Sequence, residues 1–290
     1  MSQATIGVIG GSGLYAMEGL EDVEEVSLET PFGAPSDTFV IGTLGGRRVA
    51  FLPRHGRGHR LNPSEVPSRA NVYAFKQLGV QYLISVSAVG SLREEYAPGH
   101  VVVPDQLFDR TKGIRPATFF ENGVVAHVSF DKPFCPGLSQ RLYAAAKAAG
   151  ATVHRGGTLV VMEGPAFSTR AESEENRRRG HALIGMTALP EAKLAREAEI
   201  AYATLAMVTD YDVWHPDHDS VTVDAVVAVL QANALLARRI VRNVVDLIGD
   251  GFESPAHSAL ATAIITDRSC IPAEARERLR VIAGKYLDGS

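Results

Sequence analysis

Two aspartates, Asp210 and Asp212, stand directly beyond an apolar run at residues 201–208 that is typical of a buried strand. In open α/β sheets, ligands bind outside the carboxyl ends of strands, where a loop side chain faces the ligand and the strand holds it still. A carboxyl group held there can donate or accept a proton. Taken alone, the stretch favours an ordinary solvated turn, because aspartate pairs are common in loops. The interpretation therefore depends on what else reaches the same edge of the sheet.

Five other segments that are rich in glycine and polar side chains also follow apolar runs in this chain. Six such segments predict one shared cleft, because the ends of neighbouring strands lie side by side. The five segments are residues 10–13, 54–59, 85–91, 163–170 and 185–187.

The segment at 54–60 concentrates hydrogen-bond donors in a chain that is acidic overall, and it begins with Arg54 and His55. A planar guanidinium offers two parallel donors, which suits a pair of phosphate oxygens. Ser12 in a glycine turn, with Ser87 and Thr187 after apolar runs, would add hydroxyl donors around the same anion. On its own, such a segment is more often a solvated basic loop. The glycines at 7–13 fit neither a dinucleotide fingerprint nor a P-loop.

The composition limits what this cleft can bind. The 290 residues are 46% hydrophobic and 21% charged, which is ordinary for a globular protein with one large α/β domain or two small ones. With 29 Lys and Arg against 33 Asp and Glu, the formal charge of −4 argues against a general nucleic-acid or membrane-surface binder. No signal-peptide pattern or apolar run of membrane-spanning length is seen, and Cys135 and Cys270 form no metal or redox motif. We therefore expect a cytoplasmic protein.

Histidines are further candidates for chemistry. Residues 215–219 contain two histidines and two aspartates, which resembles a metal-ligand cluster. The proline in this loop favours a flexible gate over a rigid metal site, so no metal is expected. On the pattern alone, His127 and His181 are interpreted as packing or surface residues.

Short, nearly continuous apolar segments predict strands buried on both faces, and longer amphipathic segments between them predict helices, which indicates the α/β class. The strands are predicted at 5–9, 38–43, 48–53, 81–87, 100–104, 158–162 and 201–208. The helices are predicted at 65–79, 137–149, 170–180, 190–199 and 222–248, the last with Thr222 as its N-cap and Gly249 as its stop. A composition break at 249–255 predicts a domain at 1–249 and a helical extension at 250–290, whose final helix begins near Pro272.

Eight short motifs occur in this chain in a recognisable order and spacing. They are IGVIGGSG at 6–13, TPFGAPSD at 30–37, RHGR at 54–57, GSLREE at 90–95, PFCP at 133–136, EGPAFS at 163–168, RAE at 170–172 and TDYDVW at 209–214. Each motif alone is weak, but the ordered set resembles the 5′-methylthioadenosine phosphorylase family over roughly residues 5–249.

The resemblance implies a single-domain nucleoside phosphorylase fold with a mixed central β-sheet flanked by helices. It implies a homotrimer, with a hexamer left open, whose active sites lie near subunit interfaces. The implied reaction converts 5′-methylthioadenosine and phosphate into adenine and 5-methylthioribose 1-phosphate, a step of purine and methionine salvage. Phosphate is a co-substrate in this reaction, and the resemblance implies no metal and no organic cofactor.

By position, the resemblance also assigns site residues. The phosphate ligands would be Ser12, Arg54, His55, Ser87 and Thr187. The nucleoside would meet Met186 at the ribose and Phe167 with Ser168 at the purine. The methylthio pocket would be lined by His127, contributed by a neighbouring subunit, and by Val223, Val226 and Val227.

Asp210 and Asp212 are the implied catalytic pair. Breaking a glycosidic bond builds positive charge on the ribose, and a phosphate anchored on one face supplies both a nucleophile and compensating charge. The leaving purine needs a proton or a strong hydrogen bond at N7, which a buried aspartic acid with a raised pKa can donate. We assign this role to Asp210, and Asp212 would hold the exocyclic amine or orient its neighbour.

Two other functions stay open on the sequence. One is a phosphorylase for 6-oxopurine nucleosides or methylthioinosine, which the base-facing residue would distinguish, and the other is a nucleoside-binding protein without activity. The chain also departs from common choices of the family, because it carries serine at 12 and 87 where threonine is frequent. An apolar pocket favours a methylthio group over a hydroxyl by only about 1–3 kcal/mol, so strict selection against adenosine does not follow.

Overall fold

The computed structural model describes residues 4–11, 13–14, 19–216 and 223–287, except for the side chains of residues 223–228 and 230–233. The strands of these ranges are β1 (Ile6–Gly10), β2 (Leu20–Val26), β3 (Phe39–Leu44), β4 (Arg47–Pro53), β5 (Tyr82–Ser91), β6 (Val101–Val103), β7 (Gln106–Arg110), β8 (Val153–Arg155), β9 (Thr158–Met162), β10 (Leu183–Gly185) and β11 (Ala201–Asp210). The helices are α1 (Ser68–Gln77), α2 (Pro136–Ala148), α3 (Arg170–Arg178), α4 (Ala188–Glu197), α5 (Val223–Ile248) and α6 (Ala273–Leu287).

All these strands join one mixed sheet, which confirms the predicted fold class. Eight of them lie across it in the order β2, β3, β4, β1, β5, β10, β9 and β7. β11 pairs in parallel with β5 and antiparallel with β6, and β6 pairs in parallel with β8. Antiparallel pairing also joins β2 to β3, β3 to β4 and β5 to β10.

Helices cover both faces of the sheet, as the continuous apolar strands predict. Along β11, for example, Leu205 and Met207 belong to the buried cluster that contains side chains of α2 and α5, whereas Ala206 and Val208 belong to the one that contains side chains of α1, α4 and α6. Successive side chains alternate between the two faces because a strand has a period of two residues. The result is a three-layer arrangement in which the central strands are buried on both sides.

The long strand β5 links two levels of the sheet. Near its middle, Ser85 is level with Ile9 of β1, one residue before β1 ends. Further along, Gly90 is level with Asp210, where β11 ends after a register shift. Because a strand rises about 3.3 Å per residue, Ser87 and Gly90 lie about 10 Å apart along β5. The strand ends on either side of β5 therefore deliver side chains to two places about 10 Å apart.

Several predicted elements need correction. Residues 88–91 belong to β5 and not to a loop, because β11 and β10 pair with this stretch. Four strands were not predicted: β2, β7, β8 and β10. The edge strand β2 is acidic and exposed along most of its length, so it shows no apolar run, and β8 and β10 are only three residues long.

The helix boundaries also differ from the predictions. The first helix begins at Ser68 and the fourth at Ala188, whereas the predictions were residues 65 and 190. A capping box fixes the start of α3, where the Thr169 hydroxyl accepts from the Glu172 amide and the Glu172 carboxylate accepts from the Thr169 amide. Thr222, the predicted N-cap of α5, lies outside the described residues.

The last helix packs on the body of the chain. Leu279 and Ile282 of α6 share one buried cluster with the side chains of α1 and α4. The buried Glu199 accepts hydrogen bonds from the Leu260 amide at 3.0 Å and from the Tyr286 hydroxyl at 2.7 Å. Within the described ranges, none of the helices is both long and apolar enough to span a membrane.

Candidate active site

Arg54 lies where β4 ends and is 3% exposed. Its Nε donates to Glu191 Oε2 at 2.9 Å, and its Nη2 donates to Glu191 Oε1 at 3.0 Å and to Ser85 Oγ at 2.7 Å. Its Nη1 donates to the Val86 carbonyl at 3.2 Å. The planar fork of Arg54 thus faces a carboxylate of α4, and among the described residues Nη1 is the nitrogen of this guanidinium that keeps a hydrogen without an acceptor.

Hydroxyl groups continue this network from Arg54 toward α4. Ser85 Oγ lies 3.3 Å from Ser87 Oγ, and Ser87 Oγ lies 3.4 Å from Thr187 Oγ1. Thr187 is the N-cap residue of α4, but its side chain caps no amide of the helix. The structure therefore brings Arg54, Ser87 and Thr187, three of the predicted phosphate ligands, into one neighbourhood.

The surroundings of His55 favour a neutral imidazole. Its Nδ1 lies 2.8 Å from the Leu61 carbonyl, so Nδ1 carries the proton and Nε2 is left as an acceptor. Burial and the neighbouring Arg54 charge lower the pKa of His55 to about 4. At neutral pH, His55 can accordingly accept a hydrogen bond from a protonated phosphate oxygen, but it adds no positive charge.

The other cations of the 54–60 segment point elsewhere. Arg57 pairs with Glu25 at 2.8 Å, and its amide donates to Asp37 Oδ2 at 2.6 Å. Arg60 Nη2 donates to the Ser36 carbonyl at 2.5 Å. Arg57 and Arg60, which were not among the predicted phosphate ligands, are therefore held by the neighbouring 25–37 segment.

Asp210 is half-buried at the end of β11. Its Oδ1 accepts from the Asp212 amide at 2.8 Å, and its Oδ2 accepts from the Thr209 hydroxyl at 2.7 Å. Burial raises the pKa of Asp210, although these two hydrogen bonds favour the charged form. Gly90 leaves room for this carboxyl, since a Cβ there would lie 2.8 Å from Asp210 Oδ1.

Asp212 is more deeply buried than Asp210 and has a φ of 52°. Burial raises the pKa of Asp212, and the nearby hydroxyls of Ser173 and Ser168 act in the opposite direction. The structure thus holds two carboxyl groups side by side, both with raised pKa. Such groups keep their protons to higher pH than exposed aspartates do, and in the protonated form each can donate a hydrogen bond.

Aromatic residues fix the loop that follows Asp212. Trp214 Nε1 donates to the Ser91 carbonyl at 2.7 Å, and the Arg177 guanidinium stacks 3.4 Å from the centre of the Trp214 ring. His215 Nε2 lies 2.9 Å from Glu94 Oε1. Among the described residues, no three His, Cys, Asp or Glu side chains form a group that could hold a metal. Residues 217–219 of the suspected cluster lie outside the described part of the chain.

Three of the predicted nucleoside contacts, Met186, Phe167 and Ser168, occupy one neighbourhood. Met186 packs against the 163–168 segment so closely that a Cβ on Gly164 would lie 2.5 Å from its sulfur. In that segment Ser168 is buried beside Asp212, whereas the Phe167 side chain is 42% exposed. Met186 directly precedes Thr187, so the phosphate and nucleoside sides of the site meet at the start of α4.

Some predicted residues are not seen at this site. His127 is exposed, and its amide donates to the Ala263 carbonyl at 2.9 Å, in a segment that pairs with the C-terminal part of the chain. His181 is buried against Phe108, as a packing residue. Ser12 and the side chains of Val223, Val226 and Val227 lie outside the described residues.

Sequence reasoning missed two buried groups that hold this site. One is Glu191, the partner of Arg54, and the other is Arg115, which pairs with Glu163 at 2.6 Å. Glu191 stands in an apolar stretch with Ala192 and Leu194. A carboxylate on the buried face of a predicted helix was therefore the feature of the sequence that could have revealed it. Arg115 lies outside the helices and strands, and no pattern in the sequence marks it.

The fold is that of a known class. Residues 5–246 match the model of the phosphorylase superfamily, and the chain therefore belongs to that superfamily. It is 75% identical, over 99% of both chains, to an S-methyl-5′-thioadenosine phosphorylase of Chloroflexus aurantiacus. It is also 61% identical to the enzyme of that name from Geobacter sulfurreducens, over 98% of this chain and 100% of the relative. The S-methyl-5′-thioadenosine phosphorylases are thus its family within the superfamily.

Solved structures agree with this assignment. A methylthioadenosine phosphorylase from an Antarctic soil metagenomic library superposes with a TM-score of 0.93 at 50% identity, covering 97% of this chain and 99% of that one. The methylthioadenosine phosphorylase of Schistosoma mansoni, solved in complex with adenine, superposes with a TM-score of 0.80 at 37% identity. That comparison covers 85% of this chain and 92% of the other.

Proposed function

We propose that this protein catalyses the phosphorolysis of 5′-methylthioadenosine to adenine and 5-methylthioribose 1-phosphate. The observation that carries the proposal is the spacing along β5. The group of Arg54, Ser87 and Thr187 lies at one level, and Asp210 lies beside Gly90, about 10 Å further along the strand. A ribose fits between an anion at the first level and a base at the second. The close relatives, all S-methyl-5′-thioadenosine phosphorylases, support the same reaction.

Phosphate would bind to the spare hydrogen of Arg54 Nη1, to the hydroxyls of Ser87 and Thr187 and to His55 Nε2, with Ser12 as a further proposed donor. An anion held there faces the ribose carbon that gains positive charge as the glycosidic bond breaks. Its oxygen then forms the new bond to that carbon, and the bond electrons leave with the purine. Inorganic phosphate is the co-substrate, and the proposal includes neither a metal nor an organic cofactor.

On the other side of the ribose, Asp210 would protonate the leaving adenine at N7. Burial favours the neutral acid that this step needs, and the Thr209 hydroxyl and the Asp212 amide keep the carboxyl group in place. Asp212 would hold the exocyclic amine or orient Asp210. Phe167, Ser168 and Met186 would line the purine and ribose, and Val223, Val226 and Val227 would line the methylthio pocket.

A release assay tests the proposed reaction. Purified protein should liberate adenine from 5′-methylthioadenosine only when phosphate is present, because the anion is the nucleophile. Adenosine, inosine and methylthioinosine serve as comparison substrates at equal concentration. Equal rates in phosphate-free buffer would make the protein a hydrolase, and a preference for methylthioinosine would favour the alternative 6-oxopurine activity. No turnover of any nucleoside, with binding retained, would favour a binding protein.

We further propose that the protein is a homotrimer in which His127 enters the pocket of a neighbouring subunit. His127 is exposed in the single chain, which leaves its imidazole available to another copy. Mixed subunits of His127→Ala and Asp210→Ala should regenerate some complete sites and recover activity after exchange. Sedimentation that shows an active monomer, or no recovery after verified exchange, would contradict this assembly.

Two wider expectations belong to the same proposal. Residues 1–249 would form the phosphorylase domain, with residues 250–290 as a helical extension, and the packing of α6 on α1 supports placing that extension on the same chain. The protein would act in the cytoplasm on small molecules, and fractionation of the native cells tests this location.

A further inference from the structure

Arg115 and Glu163 form a deeply buried ion pair next to the proposed site. The two side chains are 5% and 8% exposed, and Arg115 Nε lies 2.6 Å from Glu163 Oε1. Neither residue belongs to a helix or a strand, since Arg115 lies between β7 and α2 and Glu163 directly follows β9. A buried ion pair is weak as a source of net stability, because removing two charges from water costs about as much as their attraction returns. The more informative property of this pair is therefore which segments of the chain it holds together.

The guanidinium of Arg115 holds the backbone on both sides of Thr187. Its Nη1 donates to the Met186 carbonyl at 2.5 Å and to the Leu189 carbonyl at 2.9 Å. Leu189 has non-helical angles, φ −119° and ψ 135°, so the start of α4 is irregular there. Because one nitrogen binds both carbonyls, it fixes the path of the chain through Thr187.

The same guanidinium holds the nucleoside side of the site. Its Nη2 donates to the carbonyl of Glu163, at the beginning of the 163–168 segment. That segment continues into Gly164, which packs on Met186, and into Phe167 and Ser168. Arg115 therefore joins the phosphate-side residue Thr187 to the segment proposed to line the purine.

The carboxylate of Glu163 extends the link to the His55 loop. Its Oε1 accepts from the Ser64 hydroxyl at 2.6 Å, and its Oε2 accepts from the Lys112 amide at 2.6 Å. Ser64 stands three residues after Leu61, whose carbonyl orients the His55 ring. Four separate segments of the chain thus meet at one ion pair, and three of them carry proposed ligands of phosphate or nucleoside.

We propose that Arg115 and Glu163 are positioning residues that set the distance between the bound phosphate and the ribose. This inference rests on the proposed phosphorolysis. The pair binds neither substrate but fixes the segments that do. A displacement of about 1 Å between reacting groups can slow a reaction about 100-fold, whereas each substrate separately keeps its own contacts. The pair consequently acts on kcat more than on either KM.

The conservative variant Arg115→Lys tests the inference. Lysine keeps the charge next to Glu163, but a single ammonium cannot reproduce the planar set of donors that binds the three carbonyls. We expect kcat to fall about 100-fold at 25 °C, with the KM values for phosphate and for 5′-methylthioadenosine each changed by less than about threefold. The matched control is Arg141→Lys, since Arg141 also donates to two backbone carbonyls, those of Gly137 and Leu247, away from this site. The control should keep the kcat of the wild type.

Each outcome decides the inference. A role in stability alone would lower the melting temperature of Arg115→Lys and leave kcat per folded subunit unchanged, which would overturn the proposal. A large rise in the phosphate KM alone would also overturn it, because Arg115 would then be a phosphate ligand. If Arg115→Lys does not fold, Ser64→Ala weakens the same link, and kcat should fall about three- to tenfold with unchanged KM values. An unchanged kcat in that variant would then overturn the proposal.

The wild-type assay separates this inference from the function on which it rests. Phosphate-independent cleavage by the wild type would refute the proposed function whatever the variants do. Phosphate-dependent cleavage with an unaffected Arg115→Lys would refute the positioning role alone.

Discussion

Asp210→Asn is expected to lower kcat/KM for 5′-methylthioadenosine by about two to four powers of ten, the usual contribution of a general acid. The same change should spare or improve the turnover of methylthioinosine. A 6-aminopurine presents a donor at N6, and its N7 must be protonated as it leaves, so a neutral carboxyl group suits both needs. A 6-oxopurine presents an acceptor instead, for which an amide is the better partner. The ratio of the two kcat/KM values is therefore the quantity to measure.

A matched variant controls for loss of a carboxylate. Asp267 resembles Asp210 locally, because its carboxylate accepts from an amide two residues ahead and from a neighbouring hydroxyl, but it lies in the C-terminal segment. Asp267→Asn should leave the substrate ratio unchanged. If Asp210→Asn also leaves that ratio unchanged, Asp210 does not read the base.

The pH profile offers a second check on Asp210. Burial raises the pKa of this carboxyl group, so the protonated form persists to higher pH than in an exposed aspartate. Activity toward 5′-methylthioadenosine should be retained below the raised pKa and should fall as the pH rises through it. In Asp210→Asn this descending limb should be absent, since asparagine does not titrate.

The sequence predicts the buried strands and the long helices, because continuous apolar runs and helical periodicity reflect burial directly. It does not predict β2, whose acidic side chains face solvent at the edge of the sheet, or β10, which is three residues long. Their pairing depends on distant partners. The position of Arg54 at the end of β4 follows from the rule that strand ends share an edge, whereas Ser87 lies within β5 and Thr187 follows the unpredicted β10.

The partners of the site residues could not be predicted. Glu191 reaches Arg54 across 137 positions of the chain, and Arg115 reaches the Met186 carbonyl across 71. Neither contact leaves a local pattern, because tertiary packing creates both. The proposed role of His127 also leaves no pattern in the sequence, since the nucleoside that it would contact is bound by another subunit.

The pairing of Arg54 with Glu191 changes what removal of the arginine should do. Arg54→Ala removes the proposed donor to phosphate and also leaves the buried Glu191 carboxylate without its ion-pair partner, close to the proposed anion site. A charged hydrogen bond contributes about 1.5–3 kcal/mol, which corresponds to about 10- to 100-fold in affinity. We therefore expect the phosphate KM to rise by at least this factor, with a much smaller change in the nucleoside KM.

Two further variants separate the effect of the lost donor from the effect of the unpaired Glu191 carboxylate. Arg57→Ala, in the same loop, removes a guanidinium that pairs with Glu25 and should leave the phosphate KM unchanged. In the double variant Arg54→Ala/Glu191→Gln, the unpaired negative charge is gone, so part of the phosphate affinity should return while the donor stays absent. Steady-state kinetics with phosphate and nucleoside varied separately measures each effect. A rise confined to the nucleoside KM in Arg54→Ala would remove Arg54 from the phosphate site, and the hydroxyls of Ser87 and Thr187 would then have to bind the anion without it.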